Sequence, residues 1–199
     1  DSMKRILLTQ RVEQIAATGE RRDALSQEWA ALAESCGFLP LPMPNRLSTV
    51  QALLAELPPD GVLLTGGNSL MPYGGDAPER DEAERFLIGW AQETHVPLLG
   101  VCRGMQALLD YFGTPLERVS GHVRVEHPLS NGDAVNSFHD WGAVQCLPPL
   151  APLAWSGDGV LEAVVHETCP WMRGVMYHPE RYQPFRERDI QFIKEVFQL

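Results

Sequence analysis

The sequence has no apolar run near the roughly 20 residues that a membrane-spanning helix needs, and no charged-then-apolar leader typical of a signal peptide. It is also poor in positive charge, with 16 Lys and Arg against 26 Asp and Glu and a formal net charge of -10. Nucleic-acid-binding surfaces need clustered Lys and Arg for phosphate contacts. We therefore expect a cytoplasmic protein that binds no nucleic acid and no membrane.

Cysteine motifs are absent as well. The four cysteines have no Cys-x-x-Cys spacing: Cys36, Cys102, Cys146 and Cys169. Without that spacing or a leader, free thiols are favoured over disulfides or a zinc site. The histidines outside the motifs below also lack metal-ligand spacing on one element: His95, His122, His127, His139 and His166. We predict no metal ion and no cofactor, and one cysteine is available as a nucleophile.

The length of 199 residues, 44% of them hydrophobic, suits a single packed domain. Asp1 and Ser2 precede Met3 and are interpreted as additions to the natural chain, so the predicted domain covers residues 3–199. In its first half, apolar segments alternate with amphipathic helical segments. The predicted strands are 4–9, 38–41, 61–64 and 96–100, and the predicted helices are 22–37, 48–57 and 81–94.

This alternation indicates βαβ units and an α/β fold, a three-layer sandwich whose flavodoxin-like, mostly parallel sheet has helices on both faces. After Gly113 the segments become shorter and predict a small antiparallel extension. Its strands are expected at 122–127, 134–138, 143–146 and 160–166, followed by a last strand at 172–177 and a last helix at 189–197. The Pro- and Gly-rich loop 71–80 is expected to overhang a site.

The first motif with chemical meaning is Gly100-Val101-Cys102-Arg103-Gly104, which follows an apolar strand and precedes a helical stretch. The glycines allow the tight strand-to-helix turn of a nucleophile elbow, here with cysteine instead of serine. The thiol then lies at the carboxyl end of the sheet and at a helix N-terminus, which favours thiolate. On this motif alone, Cys102 could equally be a small buried apolar residue.

The second motif, Tyr177-His178-Pro179-Glu180, follows the last predicted strand. Pro179 disfavours helix at His178, and residues two apart in an extended chain point to the same side. Glu180 can therefore bind one ring nitrogen of His178 and leave the other to accept the proton of Cys102. Taken alone the pattern is more often a polar loop, but beside an elbow it predicts a catalytic triad.

The third motif, Thr65-Gly66-Gly67, ends another predicted strand. Paired glycines there can present backbone N–H groups to a ligand. Gly67 and the backbone N–H of Arg103 are the candidate donors of an oxyanion hole. A simple turn is the alternative interpretation of this motif.

In this order, the three motifs resemble the class I glutamine amidotransferase superfamily. Residues 77–84 (Ala-Pro-Glu-Arg-Asp-Glu-Ala-Glu) and 135–139 (Val-Asn-Ser-Phe-His), with the arginine after the nucleophile, are similar to its γ-glutamyl-γ-aminobutyrate hydrolase branch, the stand-alone γ-glutamyl hydrolases. The resemblance extends from Ile6 to the last predicted helix. Tyr177 replaces the tryptophan that is usual before His-Pro-Glu, and another aromatic residue should fill a similar volume.

The resemblance implies that Cys102 attacks the γ-carbonyl of a glutamyl group, with His178, oriented by Glu180, as base and then acid. Gly67 and Arg103 would supply the oxyanion hole. A γ-glutamyl thioester would form, the amine would leave, and water would release glutamate. The residues implied to hold the glutamyl group are Gly66, Gln106, Asn136, Ser137, Phe138 and His139.

The leaving group is indicated by three arginines just beyond the first strand: Arg11, Arg21 and Arg22. Arginine binds phosphate and carboxylate well, although helix capping and surface ion pairs are equally good interpretations. This opening segment looks like a subset of the branch linked to capsule and surface polysaccharides, which includes γ-glutamyl-CDP-amidate hydrolase. A γ-glutamyl-CDP-amidate is therefore the preferred substrate. A γ-glutamylated aminobutyrate or other amine, which would need an apolar channel, is the alternative.

Two other functions compete with the hydrolase. One is a glutaminase subunit that supplies ammonia to a separate synthetase, and the other is a non-catalytic binding protein. Because the chain ends soon after the predicted triad, we expect no covalently linked synthetase domain. The expected partner is a small γ-glutamyl substrate, and the sequence leaves a homodimer open.

Overall fold

The structure is a computed structural model that describes residues 2–199, so that Asp1, one of the two residues interpreted as additions, lies outside it. The helices are α1 (Glu28–Cys36), α2 (Leu47–Glu56), α3 (Pro78–Thr94), α4 (Arg103–Tyr111) and α5 (Glu187–Phe197). The strands are β1 (Arg5–Leu8), β2 (Arg11–Gln14), β3 (Arg21–Ala24), β4 (Leu39–Pro42), β5 (Gly61–Leu64), β6 (Leu98–Val101), β7 (Glu117–Arg118), β8 (Val123–Pro128), β9 (Ala134–Phe138), β10 (Trp141–Gly142), β11 (Leu150–Trp155), β12 (Leu161–His166) and β13 (Met172–Val175). None of the helices within residues 2–199 combines the length and the apolar character needed to cross a bilayer.

The central sheet has seven strands in the order β11-β12-β13-β6-β5-β1-β4. The strands from β13 to β4 are parallel, and β12 and β11 extend the sheet in antiparallel pairing. Every residue of β5 and β6 is buried, as expected for strands covered on both faces. Helix α1 packs on α5, and α2, α3 and α4 form a second group. The predicted α/β fold with its antiparallel extension is confirmed.

The segment before α1 differs from the prediction of a helix starting at Arg22. Helix α1 begins only at Glu28, and β3 pairs with β2 in an antiparallel hairpin. The hairpin strands are mostly exposed and carry little of the apolar alternation that predicts a strand. Val12 exchanges two hydrogen bonds with the side chain of Asn68 (2.8 and 2.9 Å), which attaches the hairpin to the loop after β5.

The second half also departs from prediction in detail. Residues 143–146 form no strand, whereas β11, which was not predicted, forms the edge of the sheet. Pro152 lies within β11, where it removes a backbone donor and weakens the strand signal in the sequence. Strands β8 and β9 form a separate hairpin beside the sheet. The predicted loop 71–80 contains a 3-10 turn at Met71–Tyr73 and the start of α3.

Candidate active site

Cys102 lies at the sharp turn between β6 and α4. Its φ of 53° and ψ of -105° are unfavourable for a residue with a side chain. A Cβ on Gly100 would lie 2.5 Å from the carbonyl oxygen of Gly104, and a Cβ on Gly104 would lie 2.2 Å from that of Leu64. Both positions therefore require glycine, and the turn has the geometry of a nucleophile elbow.

The structure brings together the three residues of the predicted triad. The side chain of His178 interacts with that of Cys102, and its Nδ1 lies 2.6 Å from Oε1 of Glu180. Cys102, His178 and Glu180 are only 6%, 3% and 4% exposed. His178 is extended, as expected, but Glu180 lies in a 3-10 turn, Pro179–Arg181, and not in extended chain. The thiol, the imidazole and the carboxylate form a continuous chain of contacts.

The pKa of His178 reflects two opposing effects. Burial alone would lower it, but the charge of Cys102, the hydrogen bond with Cys102 and the interaction with Glu180 outweigh burial and raise the pKa to about 9. An imidazolium beside a sulfur stabilises the thiolate. The arrangement therefore favours His178 carrying a proton at neutral pH.

Asn136, predicted to hold the glutamyl group, instead holds the backbone of His178. Its Nδ2 donates to the carbonyl of His178 (2.9 Å), and its Oδ1 accepts from the N–H of His178 (2.8 Å). Phe138 contacts the imidazole edge-on, with ring centroids 5.6 Å apart. Strand β9 thus positions the histidine.

A cavity of about 260 Å³ opens on one side of Cys102. Three of the residues predicted to hold the glutamyl group line it: Gln106, Phe138 and His139. Gln106 is oriented by its hydrogen bond to the carbonyl of Trp141 (3.1 Å). Ser137 is not among the lining residues, because its buried hydroxyl donates to the carbonyl of His122 (2.7 Å). We call this space the Cys102 cavity.

A second cavity of about 270 Å³, which we call the arginine cavity, is lined by His178, Gly66, Arg11 and Arg181 among others. The side chain of Arg11 covers Gly67, with its Cζ 3.0 Å from the position of a Cβ there. The guanidinium of Arg181 stacks on Phe138 at 4.3 Å. No role was predicted for Arg181, although it directly follows the His-Pro-Glu motif.

Arg21 and Arg22 do not line the arginine cavity. Arg21 binds the carboxylate of Glu79 (2.7 Å) and the carbonyl of Asp76 (2.9 Å), which attaches the β2–β3 hairpin to the start of α3. Arg22 is exposed and pairs with Glu20 (2.8 Å). Of the three arginines predicted to bind the leaving group, only Arg11 lies beside the triad.

Behind the loop Thr65–Gly67 lies a group that we call the arginine network: Arg80, Asp81, Glu84 and Arg103. Arg80, with no exposed surface, donates to the carbonyls of Thr65 (2.7 Å), Gly66 (2.9 Å) and Gly67 (2.7 Å). Carbonyl and N–H point in opposite directions across a trans peptide bond. The N–H of Gly67 therefore points away from Arg80.

The rest of the arginine network anchors the elbow. Arg80 binds Glu84 (3.1 Å), and Arg103 binds both Glu84 and Asp81. Burial, followed by repulsion from Arg80, lowers the pKa of Arg103, and burial is also the main cause that lowers the pKa of Arg80. Two guanidinium groups are thus matched by two carboxylates. From the sequence, a role was predicted only for the backbone of Arg103, and none was predicted for Arg80 or Glu84.

Metal-ligating side chains also meet outside the triad. Within residues 2–199, ring nitrogens of His122 and His139 and a carboxylate oxygen of Glu162 lie within 4.8 Å of one another. All three residues are buried. They come from separate segments of the chain, so spacing along one element could not reveal them.

Residues 6–127 and 111–180 match the model of a protein family described as Peptidase C26. The chain is 29% identical over 201 residues to a gamma-glutamyl-CDP-amidate hydrolase from Campylobacter jejuni, with 96% of both chains covered. It is 30% identical over 206 residues to a gamma-glutamyl-gamma-aminobutyrate hydrolase from Escherichia coli K12, covering 81% of this chain and 80% of the relative.

Two solved structures share the fold. A putative GMP synthase component from Thermoplasma acidophilum superimposes with a TM-score of 0.75 at 15% identity, covering 100% of this chain and 94% of that one. A glutamine amidotransferase from Thermotoga maritima gives a TM-score of 0.69 at 17% identity, covering 100% and 85%. At these identities the likeness concerns the fold alone.

Proposed function

Because this chain belongs to the Peptidase C26 family, we propose that it hydrolyses a γ-glutamyl amide bond through a thioester on Cys102. The observation that carries the proposal is the contact chain from Cys102 through His178 to Glu180 at a nucleophile elbow beside a cavity. The γ-glutamyl substrate class is supported by the names of the similar proteins from Campylobacter jejuni and Escherichia coli.

The reaction has two acyl-transfer steps. In the first, the sulfur of Cys102 attacks the γ-carbonyl carbon, and the backbone N–H groups of Gly67 and Arg103 stabilise the oxyanion. His178, which favours its protonated form, gives its proton to the leaving nitrogen. In the second, His178 takes a proton from water, the hydroxide attacks the thioester, and glutamate leaves as Cys102 is regenerated.

The two cavities provide a place for each half of the substrate. The Cys102 cavity would hold the glutamyl group against Gln106. The arginine cavity, which His178 also lines, would receive the leaving group.

The leaving group that the arginine cavity fits best is a nucleoside diphosphate amidate, as in γ-glutamyl-CDP-amidate. Arg11 is about half exposed, and its nearest carboxylate, Glu13, is 3.7 Å away, so its guanidinium is accessible to an anion. Arg181, also partly exposed, adds a second positive charge to the same cavity. A charged diphosphate uses both groups. A γ-glutamylated aminobutyrate, which is the alternative, offers a single carboxylate to these two guanidinium groups and would place its methylene groups against Ala24, Leu25 and Trp29.

The test is glutamate release from γ-glutamyl-CDP-amidate, γ-glutamyl-γ-aminobutyrate and glutamine. We expect the highest kcat/KM for the amidate and a loss of at least about 1,000-fold in Cys102→Ala, because removal of the nucleophile abolishes the covalent route. Equal activity on glutamine would contradict the amidate. Activity that appears only with a partner synthetase would favour a glutaminase subunit.

The role of Arg11 is tested with Arg11→Gln. A charge-assisted bond to phosphate is lost, so kcat/KM for the amidate should fall about 10- to 100-fold while that for glutamine, whose leaving ammonia has no anionic group, changes little. Arg22→Gln is the matched control, since Arg22 lies on the same hairpin but pairs with Glu20 outside the cavity. Equal losses on both substrates would show that Arg11 does not recognise the leaving group.

A further inference from the structure

Four buried or largely buried residues form a group that we call the histidine cluster: His122, His127, His139 and Glu162. Glu162, on β12, has no exposed surface. Its Oε1 lies 3.3, 3.5 and 3.6 Å from ring nitrogens of His122, His139 and His127. Three imidazoles therefore converge on one carboxylate oxygen that is not part of the triad.

The atoms that converge are not hydrogen-bonded. Within residues 2–199, neither carboxylate oxygen of Glu162 has a partner, and neither do Nδ1 of His122 and Nε2 of His139. His127 has no partner for either ring nitrogen among the same residues. A buried carboxylate without a partner is costly, and native structures contain few such groups. The histidine cluster is therefore incomplete as a purely side-chain arrangement.

The distances fit a bound ion better than an ion pair. A charged hydrogen bond from imidazolium to carboxylate would bring nitrogen and oxygen to about 2.7–2.9 Å. Zinc binds histidine nitrogen and carboxylate oxygen at about 2.0–2.2 Å in a tetrahedron, which separates neighbouring ligand atoms by about 3.3–3.6 Å. The three distances to Glu162 fall in the second range.

The outer contacts of the histidines support the same conclusion. Nε2 of His122 lies 2.8 Å from a carboxylate oxygen of Asp158, and Nδ1 of His139 lies 2.9 Å from the carbonyl of Trp141. Metal-bound histidines usually donate their second N–H to a carboxylate or a carbonyl, which fixes the tautomer. Here the donation leaves the lone pair of each inner nitrogen directed toward Glu162.

We propose that the histidine cluster is a site for a divalent transition metal, best suited to zinc, with His122, His139 and Glu162 as its three protein ligands and the fourth position left for water. The ligand types, their number and their spacing carry the proposal. It replaces the prediction, drawn from spacing along the chain, that these histidines bind no metal ion.

The ion would support the active site from a distance. His122 directly precedes β8 and His139 directly follows β9, so the ion would fasten the β8–β9 hairpin to β12. That hairpin carries Asn136, which holds the backbone of His178. The ligands are therefore positioning residues, and the ion takes no part in bond cleavage.

The test is a Co²⁺ titration of the chelator-treated Cys102→Ala protein, in which the reactive thiol cannot bind the ion. We expect stoichiometric binding with the intense visible absorption of tetrahedral Co²⁺, which zinc then displaces. The absorption should disappear in Glu162→Gln and His139→Asn. His166→Asn should retain it, because His166 is a buried histidine on the same strand whose ring accepts N–H groups of Thr168 and Cys169. The Co²⁺ spectrum does not depend on hydrolysis. The metal site can therefore be confirmed even if the proposed hydrolase activity is not found.

A further variant avoids the risk of misfolding. Asp158 is 56% exposed, and Asp158→Asn keeps its shape while weakening the bond to His122. We expect the affinity for Co²⁺ to fall about 10- to 100-fold. Zinc at 100 times its dissociation constant should also raise the Tm of the chelator-treated protein by about 5 °C or more. No tetrahedral spectrum and no shift in Tm, or binding unchanged in Glu162→Gln, would overturn the proposal.

Discussion

The arginine network and the histidine cluster are two buried polar groups that support the same active site, but they differ in whether the buried carboxylate is paired. In the arginine network, Glu84 binds two guanidinium groups, and Arg80 also binds three backbone carbonyls. In the histidine cluster, Glu162 is equally buried and its carboxylate has no hydrogen bond within residues 2–199. Both carboxylates of the first group are therefore paired with guanidinium groups, whereas the carboxylate of the second has no hydrogen-bond partner among the described residues.

The two groups also support different parts of the chemistry. The arginine network lies behind the loop that carries Gly67 and holds the side chain of Arg103. It therefore positions both candidate oxyanion donors. The histidine cluster connects to His178, because the carbonyl of Glu162 accepts from the N–H of Met176 (2.9 Å), two residues before it. Substitutions in the arginine network should therefore affect transition-state stabilisation. Substitutions in the histidine cluster should affect the acid–base residue, His178.

The largest expected effect is the contrast between Glu84→Gln and Glu162→Gln in metal-free protein. Glu84→Gln leaves two buried guanidinium groups with too little negative charge and should lower the free energy of unfolding by about 3–5 kcal/mol. Glu162→Gln removes a buried charge without breaking a hydrogen bond and should change it by less than about 1 kcal/mol. Urea unfolding measures both.

Glu82→Gln is the control for this pair, because Glu82 is exposed on the same helix as Glu84. Its substitution should change the free energy of unfolding by no more than about 0.5 kcal/mol. Equal destabilisation by Glu84→Gln and Glu162→Gln would remove the distinction between the two groups.

The next effect concerns geometry without a change of charge. Arg80→Lys keeps the positive charge beside Glu84 but cannot span the carbonyls of Thr65, Gly66 and Gly67. We expect kcat for the γ-glutamyl substrate to fall about 100-fold, because a misplaced oxyanion donor costs rate, while KM changes little. Steady-state kinetics separates the two parameters. Arg85→Lys, on the same helix with a largely exposed side chain, is the control, and an equal loss of kcat there would contradict this role of Arg80.

Local geometry explains which site residues the sequence could predict. The turn at Cys102 needs glycine two residues before it and two residues after it, at Gly100 and Gly104. One short motif therefore predicts the elbow. His178 and Glu180 are likewise close along the chain. The meeting of Cys102 with His178 followed from the α/β fold, since the carboxyl ends of parallel strands share one edge of the sheet.

Contacts between distant segments explain what was missed. Arg80 lies in a segment that carries the family resemblance, but its binding to the loop at Thr65 depends on how α3 packs against β5. The histidine cluster combines three segments of the second half. Arg21 and Arg22 were predicted to act together, yet neighbouring residues of a strand point to opposite faces. Because β3 is a strand, the side chains of Arg21 and Arg22 cannot both face the arginine cavity.

The smallest expected effect concerns Glu180, which is intermediate between Glu84 and Glu162. Its Oε1 binds His178, while its Oε2 has no partner within residues 2–199. The carboxylate is one of the groups that raise the pKa of His178 to about 9. Glu180→Gln removes a charge that stabilises imidazolium, so His178 should lose its proton about one to two pH units lower.

Nuclear magnetic resonance of histidine labelled with nitrogen-15 can follow this titration without enzyme activity, and His178→Asn identifies the signal. His166, at the far end of β12, is the internal control and should titrate alike in both proteins. The pH range over which His178 can protonate a leaving nitrogen should contract from the alkaline side by the same amount, because only the imidazolium form donates. A titration of His178 that is identical with glutamate and glutamine at position 180 would mean that this carboxylate orients the ring without holding its proton.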